Sequence, residues 1–126
     1  ELFTMSHYYT RDHEWLMIDD DTATVGITEH AQSALGDVVF VELPANGSTC
    51  TEGEAIATIE SVKAASDVYA PIAGEVIAVN TDIEETPEQV NEDPEGAAWF
   101  FKLRIQQPVD TSLWMDRDAY LTFAGE

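Results

Sequence analysis

Lys63 lies in the run Glu60-Ser61-Val62-Lys63-Ala64-Ala65-Ser66-Asp67-Val68 and is one of two lysines in 126 residues, the other being Lys102. A primary amine forms an amide or an imine with a carbonyl carbon, which guanidinium, amide and carboxylate groups do not. Its neighbours help to sort these two chemistries. Glu60 and Asp67 favour the charged ammonium over the nucleophilic free amine. A self-activated Schiff-base lysine needs desolvation or a cationic neighbour, and the run offers neither. Ala64, Ala65 and Ser66 are small and leave access to the amine, while Val62 and Val68 are expected to fix the turn as strand residues on either side. The pattern suits an amine that another enzyme acylates. It also suits an ordinary turn lysine, and the run alone leaves both readings open.

The other reactive residue types weigh less. His7, His13 and His30 show no metal-ligand spacing, so no metal site is expected, and His30 reads as a structural residue on a short helix. Cys50 is the single cysteine, which excludes an internal disulfide and a multi-cysteine metal site. Trp15, Trp99 and Trp114 read as core.

The elements that must position the lysine are mostly β. His13 to Ile18 and Thr22 to Ile27 are expected as a hairpin around Asp19-Asp20-Asp21. Thr28 is a candidate N-cap for a short helix ending at Gly36. Asp37 to Leu43 reads as a strand stopped by Pro44, with a turn at Ala45-Asn46-Gly47-Ser48. Strands are expected on both sides of Lys63, again from Gly74 to Asn80, and from Trp99 to Ile105, where Pro108 ends the last. Gly53-Glu54-Ala55-Ile56-Ala57 recurs as Gly74-Glu75-Val76-Ile77-Ala78, fitting two equivalent strands that enter opposite sheets with the lysine on the connection. Asp82 to Glu95 holds seven acids and two prolines and reads as a solvated loop with one helical turn at most. Val109 to Phe123, with Leu113, Trp114, Tyr120 and Leu121, reads as a C-terminal helical segment packed on the sheets.

Composition bounds the function. With 25 acids against five cations the formal net charge is −20, which repels phosphate backbones and argues against nucleic-acid binding. Self-repulsion of this size destabilises a compact state unless counterions screen it. Of two readings, a plain acidic protein and one adapted to high internal salt, the second is favoured; at 1 M salt the Debye length is only ~3 Å. A hydrophobic fraction of 44% with 12 aromatic residues (three Trp, four Tyr, five Phe) indicates a folded chain with one core. No apolar run approaches the roughly 20 residues of a membrane span and no secretory leader is recognisable; with a single cysteine a cytoplasmic compartment is expected, and the chain is expected to act as a monomer. Glu1 to Thr4 precede Met5-Ser6 and read as a cloning remnant, leaving residues 5–126 as a single domain.

The stretch Glu60-Ser61-Val62-Lys63-Ala64, with Ser66-Asp67-Val68, Ala70-Pro71-Ile72 and Gly74-Glu75-Val76 behind it, resembles the lipoyl-lysine hairpin of the glycine cleavage system H proteins. His13-Glu14-Trp15, Val25-Gly26-Ile27-Thr28, His30-Ala31-Gln32, Leu35-Gly36-Asp37, Val41-Glu42-Leu43-Pro44 and the Trp99-Phe100 strand are similar to the same family, covering residues 8 to 123 in order. Biotin carriers place methionines where Val62 and Ala64 stand. Lipoyl domains of acyltransferases typically place an aspartate where Val62 stands.

The resemblance implies a mainly β, lipoyl/biotinyl-type barrel-sandwich hybrid of two antiparallel sheets, with a short helix near 28–35 and a C-terminal helical segment. It implies a carrier and not an enzyme, with lipoate attached through an amide to Lys63. Its partners would be glycine decarboxylase, which loads an aminomethyl group, aminomethyltransferase, which passes the one-carbon unit on and releases ammonia, and dihydrolipoyl dehydrogenase, which takes the electrons. A lipoate ligase or lipoyl transferase would modify the lysine, with Glu60 a candidate recognition residue. Glu14 and Asp67, joined by Asp12 as a third carboxylate where the family often has a small hydroxyl residue, are the candidates for docking the cationic end of the loaded arm. Two alternatives stand beside this: an H-like lipoyl donor in a lipoate relay, and an enzyme using Lys63 as an imine-forming nucleophile.

Overall fold

The computed structural model describes residues 6–106 and 109–125. Nine strands among these form two antiparallel sheets. In chain order they are β1 (Ser6–Tyr9), β2 (Glu14–Asp19), β3 (Thr22–Ile27), β4 (Val38–Glu42), β5 (Thr49–Cys50), β6 (Ala55–Ser61), β7 (Ala65–Tyr69), β8 (Gly74–Val79) and β9 (Phe101–Arg104). The six-stranded sheet has the order β1-β2-β3-β9-β8-β5, and the three-stranded sheet the order β4-β6-β7.

Period-two alternation builds the core. Register places Leu16, Val25, Phe101 and Val79 in one row across β2, β3, β9 and β8, and Ile18, Ala23, Leu103 and Val76 in the next. All but Val79, which is half-buried, are buried, and they pack in one cluster with Val41, Ile59 and Val68 of the smaller sheet. Each fully buried Leu, Ile, Val or Phe among them contributes about 1.5–3 kcal/mol before the cost of ordering it. The alternate positions point to the other face of the sheet. There the Lys102 ammonium stands 5.0 Å over the Trp99 ring, and buried Trp15 lies across Gly26, where a Cβ would meet the indole at 2.7 Å.

The expected β2–β3 hairpin forms, with Asp19 still paired to Thr22, and turns through Asp20 at φ 59, a left-handed conformation that Asp tolerates better than most residues. Helix α1 (Glu29–Leu35) starts where Thr28 accepts the Ala31 amide and stops at Gly36, φ 79, whose amide donates to the Gln32 carbonyl. The two similar pentapeptides do lead into β6 and β8 of opposite sheets. Lys63, however, belongs to the β6–β7 hairpin within the smaller sheet, so the lysine is not simply the link between them.

Two expectations need correction, two strands went unanticipated, and the C-terminal helical segment forms as expected. The acidic stretch is not a solvated loop. Helices α2 (Thr81–Glu85) and α3 (Gln89–Glu92) bury Ile83 and Val90 completely, because apolar residues at these two positions let the stretch fold onto the core with its acids outward. The Asn80 side-chain amide then donates to the carbonyls of Ala97 and Trp99, tying down the return to β9. β9 itself starts at Phe101, not at Trp99, although the Phe100 amide still donates to the Val25 carbonyl. Pro108, assigned as the stop, lies outside the described residues. Strands β1 and β5 were not anticipated; both are short edge strands, and Cys50 is buried in β5. The C-terminal segment is a 3-10 turn (Thr111–Leu113) followed by α4 (Arg117–Ala124). Of its apolar residues Tyr120 is buried and Trp114 packs partly against the core, while Leu113 and Leu121 remain half exposed. No helix among the described residues is long and apolar enough to cross a membrane.

Candidate functional site

The hairpin tip is built by a hydroxyl and a neighbouring strand, not by flanking valines. Ser61 Oγ accepts the amides of Lys63 and Ala64, both at 3.1 Å, and the Ser61 amide donates to the Ala64 carbonyl at 2.8 Å. The Val62 amide donates to the Asp37 carbonyl at 3.0 Å. Every backbone donor from Ser61 to Ala64 thus has an acceptor, which makes the turn stiff. Val62 is two-thirds exposed and packs nothing down; Val68 alone of the pair is core. The sequence reading missed Ser61, although a serine two residues before a turn residue is a recognisable signal for such a turn.

Lys63 is exposed, and its side chain lies along the C-terminal end of α1. A Cβ added at Gly36 would stand 3.3 Å from Lys63 Cε and 3.8 Å from Nζ. Gly36 therefore serves twice: its backbone adopts φ 79, ψ −157, a region open essentially to glycine alone, and its missing side chain gives the lysine stem a bed. Asn91 of α3 fixes that bed. Its side-chain amide donates to the Gly36 carbonyl at 2.8 Å and to Gln32 Oε1 at 2.9 Å, while its Oδ1 accepts the Val38 amide. Nothing in the sequence pattern singled out Asn91, because its three partners are more than 50 residues away.

Beside this bed a cleft of about 200 Å³ opens between α1 and the β7 strand of the lysine hairpin. One side is apolar, formed by Ile27, Ala31, Ala34, Leu35, Ile59 and Val68. Asp12, Glu14 and Asp67 line the rest, with His13 and Ser66. The three acidic residues nominated from the sequence therefore line one cleft, although Asp67 is 53 residues from Glu14. Glu60 does not join them: it pairs with Phe40 on one side and Ala65 on the other, exposed on the hairpin.

Glu14 is the unusual member. It is buried, its Oε2 accepts the Tyr69 amide at 2.8 Å, and its Oε1 accepts the Thr10 hydroxyl at 3.3 Å. Burial, helped by the nearby Asp12 charge, pushes its carboxyl up to about 7 against the pull of those two hydrogen bonds. Near neutral pH the carboxyl is poised between its two forms, and a cation entering the cleft would favour the ionised one. His13 sits at the cleft's edge, its ring stacked on that of the exposed His30 at 4.3 Å; burial and then His30 hold its pKa down.

Two facing antiparallel sheets with a stiff hairpin presenting an exposed lysine define a carrier domain of the lipoyl/biotinyl barrel-sandwich class. The family model for the glycine cleavage H-protein matches residues 7–126. A glycine cleavage system H protein of Dinoroseobacter shibae is 48% identical over 118 residues, covering 94% of this chain and 97% of that protein. One from Rubrobacter xylanophilus is 60% identical over 102 residues, 81% of each chain. The fold superposes on the crystal structure of a glycine cleavage system H protein from Mycobacterium marinum with a TM-score of 0.87 at 35% identity, covering 98% of this chain and all of that one. The chain belongs to the glycine cleavage H-protein family.

Proposed function

We propose that this protein is the lipoyl-bearing shuttle of a glycine cleavage system, carrying an aminomethyl group from glycine decarboxylase to the aminomethyltransferase and electrons to dihydrolipoyl dehydrogenase. Residues 5–126 act as one cytoplasmic, monomeric carrier domain that catalyses nothing itself. The attachment point is Lys63, modified by a lipoate ligase or lipoyl transferase that approaches the exposed hairpin, with Glu60 on its outer side available for recognition. The observation that carries this reading is the cleft beside the lysine, apolar along α1 and acidic at Asp12, Glu14 and Asp67.

The residues present fit such an arm. The apolar wall suits a chain of methylenes, and the three carboxyl groups suit a cationic end. Lipoate in amide linkage would supply a disulfide that opens to accept the one-carbon group and later returns two electrons. The chain's own part is to hold and to exclude. The Ser61 turn keeps Lys63 exposed at the hairpin tip for modification. Gly36 and Asn91 keep the stem beside the cleft. Glu14, poised near neutrality, ionises against a docked ammonium, and the apolar wall excludes the water that would hydrolyse the cargo. Tethering the cargo to one carrier makes each hand-over a local encounter once the carrier has docked.

An enzyme using Lys63 for imine chemistry is disfavoured by the lysine's exposure, since nothing desolvates the amine. The deciding experiment is intact-mass analysis after incubation with lipoate, ATP and a lipoate ligase, followed by loading with glycine and glycine decarboxylase. A lipoyl-sized addition at Lys63 and then an aminomethyl-sized one are expected. Lipoylation without loading would overturn the shuttle in favour of a lipoate relay, and no lipoylation would overturn both.

A further inference from the structure

Glu14 is held in a tight wrap of the chain whose geometry is costly. The Thr10 hydroxyl accepts the Glu14 amide at 3.2 Å and reaches its carboxylate, and the His13 amide donates to the Thr10 carbonyl at 3.1 Å. To close this wrap His13 takes φ 65, a left-handed conformation uncommon for residues with a side chain. Strain of this kind persists only where surroundings enforce it.

The enforcing contact comes from the far end of the chain. The Tyr120 hydroxyl is 2.8 Å from His13 Nδ1 and 2.8 Å from Thr28 Oγ1. Thr28 also receives the Ala31 amide as the cap of α1, and its own amide donates to the His13 carbonyl at 3.0 Å. His13 and Glu14 line one side of the cleft, and α1 forms the other. Beside that backbone bond, one buried hydroxyl supplies the side-chain tie between the two walls without itself lining the space. Tyr120 is the single buried residue of α4, with its ring stacked on Tyr9 at 4.8 Å. Burial holds Tyr120 in its neutral form and His13 toward its neutral form, so the network is uncharged.

We propose that Tyr120 is a positioning residue for the arm cleft, its hydroxyl setting the distance between the Glu14 wall and α1, so that the C-terminal helix belongs to the docking machinery. This rests on the reading that the loaded arm docks against Glu14. Replacement Tyr120→Phe keeps the stacked ring and removes only the tie.

The first readout needs no cargo. Carbon-13 NMR titration of the Glu14 carboxyl in the unmodified chain should show its midpoint falling from about 7 toward the ordinary carboxylate range as the loosened cleft admits water. Thr28→Val should reproduce the fall and Thr28→Ser, which keeps the hydroxyl, should not. In lipoylated and loaded protein, spontaneous loss of the aminomethyl group should be several-fold faster in Tyr120→Phe, and no faster still when Glu14→Gln is added. An unchanged Glu14 midpoint in Tyr120→Phe, or multiplicative effects in the double variant, would overturn the inference. If Glu14→Gln alone leaves cargo loss unchanged, the docking reading fails, whereas acceleration by Glu14→Gln but not by Tyr120→Phe removes only the role given to Tyr120.

Discussion

Glu14 and Tyr69 are joined by a 2.8 Å hydrogen bond from the tyrosine amide to the buried carboxyl, across 55 residues of sequence. The bond links β2 of the larger sheet to the last residue of β7, the outgoing strand of the lysine hairpin. It places a buried carboxyl, pushed up to about 7, at the junction of the two sheets, on a residue that lines the cleft beside the hairpin.

Stability should fall as pH rises through about 7. Folded Glu14 keeps its proton up to about 7, whereas the unfolded chain releases it near the ordinary value of 4.5. Between those values the folded state binds more protons, so the slope of unfolding free energy with pH is negative. The contribution is full below the unfolded value and is lost as pH rises through the folded one, amounting to about 3 kcal/mol. Glu14→Gln should flatten this limb in chemical denaturation across pH. A variant that retains the wild-type slope would assign the slope to other groups.

Lys63→Arg should remain unmodified by ligase, ATP and lipoate while folding normally, because a guanidinium is not acylated under these conditions. Lys102 should not substitute for it. That ammonium sits over Trp99 in the middle of the larger sheet, not on a turn. Mass analysis after proteolysis locates any addition, and lipoylation at Lys102 in the variant would show that exposure on the hairpin is not what selects the site.

Gly36→Ala should cost about 1–3 kcal/mol, the strain of a side chain in a glycine-only backbone region. It should also slow modification of Lys63, since the new methyl would press on the stem at 3.3 Å from Cε. Asn91→Ala should share the second effect without the first cause, by releasing the Gly36 carbonyl and the Val38 amide. Thermal unfolding and lipoylation rates, measured together, separate the two. Equal lipoylation rates in all three proteins would remove Gly36 from the site.

Salt should stabilise the fold. At a net charge of −20 the surface repels itself, and the exposed Arg117–Glu95 pair at 3.5 Å is a weak counterweight. Denaturation midpoints should rise from dilute buffer to about 1 M sodium chloride, where screening reaches ~3 Å. Full stability in dilute buffer would refute adaptation to high salt.

Much of the fold was legible because its signals are local. The β2–β3 hairpin, the Thr28 cap and the stop at Gly36 follow from alternation and from a hydroxyl and a glycine in the right places. The acidic segment misled because charge density suggested solvation, while only two apolar residues, Ile83 and Val90, decide its docking. The edge strands β1 and β5 carry few inward residues, so alternation had little to reveal.

By itself the sequence nominated the reactive group, a rare lysine between two strands in an acidic chain with the ordered motifs of its family, while the serine that staples its turn emerged only from the structure. The sequence also nominated Asp12, Glu14 and Asp67. What only the tertiary structure decided is that these acids share one cleft, that Glu14 is buried enough to titrate near 7, and that Asn91 and Tyr120 brace the walls. The reason is physical. A turn depends on neighbours in sequence, whereas desolvation and cleft width depend on which distant segments close around a group.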